Sequence, residues 1–214
     1  MNCCKDNVIE KQFDKLRVAN KISQYRSKGI SRETRILVDS LKSLGIDGYS
    51  LLDIGCGLGM IGIELLESGL AGVENIEASS SYLESAKTES KRRNLFDKTS
   101  FTYGNFVEIA ESVSAADIVT LDKVICCYDE LEPLVKLSCE KTLKYCGVIY
   151  PRDSWWAKAA IGFENLMRKI KGNTFRVFVY PTEEIDSLIK EQGLTRVFYK
   201  AMMVWQIVIY SRIT

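Results

Sequence analysis

Leu51-Leu52-Asp53-Ile54-Gly55-Cys56-Gly57-Leu58-Gly59 decides the fold. It reads as a short apolar strand with an acid near its end, then three alternate glycines, then a helix starting near Met60. Lacking a Cβ, glycine lets the backbone turn sharply and lie against a ligand, which the free N–H groups of the helix start then face. Gly57-Leu58-Gly59-Met60-Ile61-Gly62 also satisfies the dinucleotide fingerprint, with Glu77 at the spacing expected of an acid that holds ribose hydroxyls. Glycine spacing alone therefore does not discriminate between ligands.

Outward from this turn, short apolar runs alternate with longer amphipathic ones, the pattern of βα units around a parallel sheet. Strands are predicted at Leu51–Ile54, Gly72–Glu77, Ser100–Tyr103, Asp117–Leu121 and Val148–Tyr150. Helices are predicted near Met60–Ser68, Ser81–Asn94, Asp129–Tyr145 and Trp156–Lys171, the second opening with Ser81 and Glu84 in capping-box spacing. After a further helix over Thr182–Gln192, the runs Arg196–Lys200 and Val204–Tyr210 are almost directly joined, which implies an antiparallel hairpin. Ahead of Tyr49 the chain reads as helical: Ser31 is the N-cap of a helix whose Leu37, Leu41 and Leu44 share a face, and Gly45 stops it. The expected fold is α/β and Rossmann-like, a doubly wound, mostly parallel seven-stranded sheet with an antiparallel C-terminal strand. The expected division is an N-terminal helical cap over 1–48 and a ligand-binding domain over 49–214.

Composition narrows the function classes. The 214 residues suit one domain with small additions, and 46% hydrophobic with 27% charged residues is ordinary for a globular protein. Lys and Arg total 29 against 28 for Asp and Glu, a net charge of +1, so no global field draws polyanions and no nucleic-acid partner is expected. Lys91-Arg92-Arg93 reads as a solvated helix end. No apolar run approaches the ~20 residues that cross a bilayer, so no membrane insertion is expected. Met1-Asn2-Cys3-Cys4-Lys5-Asp6 lacks the apolar stretch of a signal peptide, which predicts a cytoplasmic chain. Seven cysteines, including the adjacent pairs Cys3-Cys4 and Cys126-Cys127, show no C-x-x-C spacing, so neither a disulfide framework nor a metal site is expected. Cys126, Cys139 and Cys146 are expected as small buried hydrophobes. With no histidine at all, every Ser-His, Cys-His and histidine-base mechanism is removed.

Asp53, two residues before the first glycine, separates the ligands that the turn admits. A carboxylate there suits the cationic ammonium of a methionine moiety and repels a pyrophosphate, which favours S-adenosylmethionine over NAD. The topology leans the same way, since a sheet ending in one antiparallel strand differs from a dehydrogenase with two mononucleotide-binding halves.

Leu51 to Gly59 resembles motif I of class I S-adenosylmethionine-dependent methyltransferases, and the similarity extends from about Tyr25 to the C-terminus. More narrowly, residues Asp117 to Tyr128 and Tyr150 to Trp156 are similar to a prokaryotic branch that resembles magnesium protoporphyrin methyltransferases at a distance. The resemblance implies that Asp53, Gly55, Cys56, Gly57, Gly59 and Met60 line the donor, with S-adenosylhomocysteine as product. It implies Glu77 on the ribose hydroxyls, Ala78 against adenine, and Asn105-Phe106 at the adenine edge, although family members often carry Asp where this chain has Asn105. Asn105 would otherwise be an ordinary turn residue. Asp122 and Val124, in Leu121-Asp122-Lys123-Val124, stand at the motif IV position on the carboxyl edge of the sheet. DNA amino-methyltransferases place an Asn/Asp-Pro-Pro-aromatic turn there, and this chain has none.

Methyl transfer from a sulfonium is an in-line displacement with an activated leaving group, so positioning supplies much of the acceleration. An acceptor already anionic at neutral pH needs no base, which tilts the reading toward O-methylation of a small molecule. For an amine or alcohol the candidate bases are Asp122, Lys123, Tyr128 and Tyr25, with Asp122 and Lys123 readable instead as a solvated pair. Tyr25, Tyr128, Trp155 and Trp156 are the aromatic candidates beside the sulfonium. Tyr25-Arg26-Ser27-Lys28-Gly29 reads as a lid, or as plain packing of a helix onto the sheet. The rival functions are an NAD-dependent oxidoreductase and a non-catalytic S-adenosylmethionine-binding protein.

Overall fold

The structure, a computed structural model, describes residues 10, 12, 13 and 15–212. Cys3 and Cys4 lie outside the described residues. Helices α1 (Lys15–Lys28) and α2 (Arg32–Lys42) precede strand β1 (Ser50–Ile54). Then follow α3 (Met60–Leu66), β2 (Gly72–Glu77), α4 (Ser80–Arg92), β3 (Thr99–Tyr103), the single turn α5 (Phe106–Ile109) and β4 (Ala116–Asp122). The chain continues through α6 (Leu131–Glu140), β5 (Thr142–Pro151), α7 (Trp155–Ile170), α8 (Thr182–Glu191), β6 (Leu194–Ala201) and β7 (Trp205–Arg212).

The seven strands form one sheet in the order β3-β2-β1-β4-β5-β7-β6. β1 pairs in parallel with β2 and β4, β2 with β3, and β4 with β5, while β7 runs antiparallel to both β5 and β6. This is the expected mostly parallel seven-stranded sheet. Successive strand residues point to opposite faces, and here both faces are buried. Leu51, Ile118, Ile149 and Ile207 join one core with Leu37 and Leu41 of α2 and Leu65 of α3. Leu52, Val119, Val148 and Val208 join the other with Leu134 of α6 and Ile185 and Ile189 of α8.

Local chemistry sets the helix ends. Ser31 caps α2 as expected, its hydroxyl accepting from the Thr34 amide at 3.3 Å, and Gly45 at φ 71° follows the helix end. Two expectations need correction. The cap of α4 is Ser79, not Ser81: its hydroxyl accepts from the Tyr82 amide at 3.4 Å, and Glu84 pairs instead with Lys87. The helix expected over Asp129–Tyr145 ends at Glu140, and β5 begins at Thr142, well before Val148. Thr142 and Tyr145 pair with Ala116 and Ile118 of β4, so sheet pairing overrides the local helical pattern. Cys126, Cys139 and Cys146 are buried free thiols, as expected. No described helix is long and apolar enough to cross a membrane.

At Gly147 of β5, α2 lies so close that an added Cβ would stand 2.8 Å from Leu37 Cδ1. Gly147→Ala should therefore cost about 1–3 kcal/mol by overpacking. Urea unfolding checks this, and adding Leu37→Ala should cost less in the Gly147→Ala background than in the parent. An unchanged midpoint for Gly147→Ala would place slack in this seam that the geometry does not show.

Candidate functional site

The carboxyl ends of β1, β2 and β4 open onto a cleft of two adjoining cavities, of about 280 and 450 Å³. Gly55, Gly57, Tyr82, Asp122 and Lys123 line both, so the two form one continuous groove. Its floor is the glycine turn. Gly55, Gly57 and Gly59 take φ values of 65°, 56° and 70°, the left-handed region that disfavours a side chain. The three differ in what they face. A Cβ on Gly55 would meet Val124 Cγ2 at 2.5 Å, so Gly55 admits the motif IV turn. On Gly57 it would meet nothing within 4 Å and would project into the groove. Gly59 lines neither cavity; it caps α3 and packs toward Ala86 of α4. It was expected among the donor contacts, and the structure places it at the helix start.

Three carboxylates ring this floor. Asp53 is buried beside Thr120, its partner in the β1–β4 register, whose hydroxyl donates to Asp53 Oδ1 at 2.7 Å. Asp53 Oδ2 is buried without a hydrogen-bond partner among the described residues. Burial pushes the carboxyl up to about 7, against the pull of the Thr120 hydrogen bond. Glu77, at the end of β2, accepts from the Gly57 amide at 2.8 Å and from the Ser79 amide at 2.9 Å. Burial raises its carboxyl too, with the backbone N–H groups pulling back. Asp122 accepts from the Thr34 hydroxyl at 2.6 Å, and burial raises it against the nearby Lys123 cation.

Lys123 takes φ 62°, a left-handed conformation that costs a residue with a Cβ about 1–2 kcal/mol. Its ammonium turns to the start of α2, 2.9 Å from Glu33 and 3.3 Å from the Ser31 hydroxyl, with Asp122 at 3.7 Å. Burial opposes the ionisation of Glu33, yet the Lys123 ion pair holds its carboxyl below the usual range. Asp122 and Lys123 are thus neither a simple solvated pair nor free: both are tied to α2.

The remaining expected residues divide between the two cavities. Glu77, Ala78, Asn105, Phe106, Val124 and Tyr128 line the first; Asp53, Cys56, Met60 and Tyr25 line the second. Asn105 is an N-cap whose Oδ1 accepts from the Val107 amide at 3.2 Å, and it also lines the first cavity. Tyr25 is buried in the core, and its hydroxyl accepts from Arg93 at 3.0 Å, so Lys91-Arg92-Arg93 is more than a solvated helix end. Burial raises the Tyr25 phenol, against the pull of the Arg93 cation. Trp155 and Trp156 line neither cavity: Trp155 is 80% exposed and Trp156 stacks with Arg152. Sequence reading missed the aromatic wall of the first cavity. Phe13, Tyr82 of α4 and Phe175 after α7 meet there, with Phe13 5.3 Å from Tyr82 and 5.6 Å from Phe175 between ring centroids. Their separation along the chain left no local signal.

A family model described as a methyltransferase domain matches residues 46–200. No curated protein sequence matches the chain. Among solved structures, the chain is similar to magnesium protoporphyrin IX methyltransferase from Synechocystis PCC 6803 with bound SAH, at 15% identity and a TM-score of 0.73, covering 97% of this chain and 100% of that one. A TehB-like SAM-dependent methyltransferase from Corynebacterium glutamicum gives 14% identity and a TM-score of 0.66 over 92% and 97% of the two chains. An O-methyltransferase family protein from Burkholderia thailandensis gives 16% identity and a TM-score of 0.69 over 92% of this chain and 61% of that one. At such identities the likeness to solved structures is one of fold, and the family model adds the enzyme type. The chain belongs to the methyltransferase-domain family and has the fold of the class I S-adenosylmethionine-dependent methyltransferases.

Proposed function

We propose that this chain binds S-adenosylmethionine in the cleft and directs its methyl group to oxygen on a small anionic molecule. The observation that carries the reading is the buried Oδ2 of Asp53, without a hydrogen-bond partner among the described residues, on a residue that lines the second cavity a few positions before a glycine turn that leaves the groove open above Gly57. A buried carboxylate with an orphan oxygen is costly, and an ammonium group supplies the missing partner. A pyrophosphate in the same place would add like charge, which argues against NAD.

When bound, the donor supplies a methyl group already activated on sulfonium. Glu77 would take the ribose hydroxyls through its remaining lone pairs while it holds the Gly57 amide. Ala78 and Phe106 would lie against the adenine, with Phe13, Tyr82 and Phe175 excluding water. Cys56 and Met60 would line the methionine end. The segment ahead of residue 49 would act as the cap, its α1 placing Lys21, Tyr25 and Lys28 on the wall of the second cavity. These two lysines make a wall that suits an anionic acceptor, such as a carboxylate or acidic phenol. Such an acceptor needs no base.

Tritiated methyl donor with panels of carboxylic acids, phenols and amines tests the acceptor class: label should enter an acid or phenol, and a methyl ester should release it in mild base. Transfer confined to amines would overturn the O-methylation reading.

Gly57→Val should abolish S-adenosylhomocysteine binding by calorimetry while the chain stays folded, because the branched side chain would fill the groove. Unchanged affinity in a folded variant would move the donor elsewhere.

Asp53 also predicts a pH dependence. Its folded pKa, about 7, lies above the ordinary 3.8, so its contribution to stability is complete below about pH 4 and is lost as pH rises to 7. Ligand-free Asp53→Asn should therefore gain thermal stability relative to the parent across that window, with a constant difference above it. Parent affinity for S-adenosylhomocysteine should rise as Asp53 ionises, and the variant should lack that rise. Parallel pH profiles would show that Asp53 does not titrate in the fold.

A further inference from the structure

Helix α7 turns its apolar face away from the protein. Trp155, Ala159, Phe163, Leu166 and Ile170 recur every three or four residues and so lie on one stripe. Every one of them is exposed: Trp155 at 80%, Phe163 at 66%, Leu166 at 53% and Ile170 at 69%. The two buried residues of the helix, Ala157 and Ile161, lie on the opposite side. A helix that stands free in water normally shows it a polar face, and an exposed apolar stripe of this size marks an interaction surface.

Charge indicates what the surface meets. Lys158 and Lys169 border the stripe on one side and Lys171 lies at the other, while the single acid of the helix, Glu164, is tied to Arg168. The whole chain has a net charge of only +1, so this basic border is a local feature. A second copy would bring an equally basic border against this one. An anionic lipid surface complements both parts, taking the apolar stripe at its acyl boundary and the lysines at its headgroups. The helix spans about 24 Å and is not long and apolar enough to cross a membrane, so it would lie in the plane of the interface.

We propose that α7 is an interfacial helix that docks this chain on anionic lipid. Its position gives the docking a use, because α7 leaves the carboxyl end of β5 and is followed by Phe175 of the cleft wall. Bound this way, the protein holds the groove beside the lipid surface. The inference rests on the exposed helix alone and stands apart from the choice of methyl donor or acceptor.

Flotation of the purified chain with phosphatidylcholine vesicles, with and without phosphatidylglycerol, tests it. Binding should be about tenfold or more stronger to the anionic vesicles and should fall with salt. Phe163→Ser with Leu166→Ser, and separately Lys158→Glu with Lys169→Glu, should each weaken it about tenfold. Melting temperature and S-adenosylhomocysteine affinity should stay unchanged, since these side chains are exposed and line neither cavity. Failure to float with anionic vesicles overturns the proposal, as does equal flotation of the parent and both variants. Light scattering that shows a dimer, dissolved by the Phe163→Ser, Leu166→Ser pair, would assign the stripe to a second copy and overturn it too.

Discussion

Glu77 ties the floor of the cleft to the sheet. One carboxylate oxygen receives the Gly57 amide and the other the Ser79 amide, so one side chain holds both the glycine turn after β1 and the turn after β2. Charge-assisted bonds of this kind are worth about 1.5–3 kcal/mol each, and they offset the burial that otherwise drives a carboxyl toward its neutral form. Gly57 can lie open to the groove because its amide is satisfied from below, by an acid on the neighbouring strand.

The other two acids at this edge are incompletely compensated. Asp53 has Thr120 on one oxygen and no hydrogen-bond partner among the described residues on the other, and Asp122 has Thr34 and a more distant Lys123. An edge built this way is electrostatically unfinished, and a cationic ligand would complete it. The left-handed Lys123 belongs to the same arrangement, because that turn sends its ammonium to Glu33 and Ser31 and locks the end of β4 to the start of α2. Strain concentrated in such a turn is usual where a site is held open for a ligand.

α2 therefore does two things at once. Its apolar side fills the core against β5 and β7, close enough to require Gly147, while its first turn supplies Glu33 and Thr34 to the cleft. A helix that is a layer of the core thus also lines the second cavity. α7 is the opposite case: Ala157 and Ile161 are its buried residues, Asn165 bonds to the Val177 backbone, and its apolar stripe faces outward.

Much of the fold was legible in the sequence, because local chemistry repeats there with a period: β1, β2, the Ser31 cap and the closing hairpin follow from alternation, turn residues and capping side chains. The glycine turn and Asp53 were legible for the same reason, since steric freedom and charge at fixed spacing leave few alternatives. Tertiary structure decided the rest. It started β5 at Thr142 because pairing with β4 outweighs helical propensity, and it moved the α4 cap to Ser79. It set Gly59 at the helix start, engaged Asn105 as a cap, left Trp155 in solvent, and gathered Phe13, Tyr82 and Phe175 into one wall. Those outcomes depend on which distant segments meet across the sheet, and no spacing within a single segment encodes that meeting.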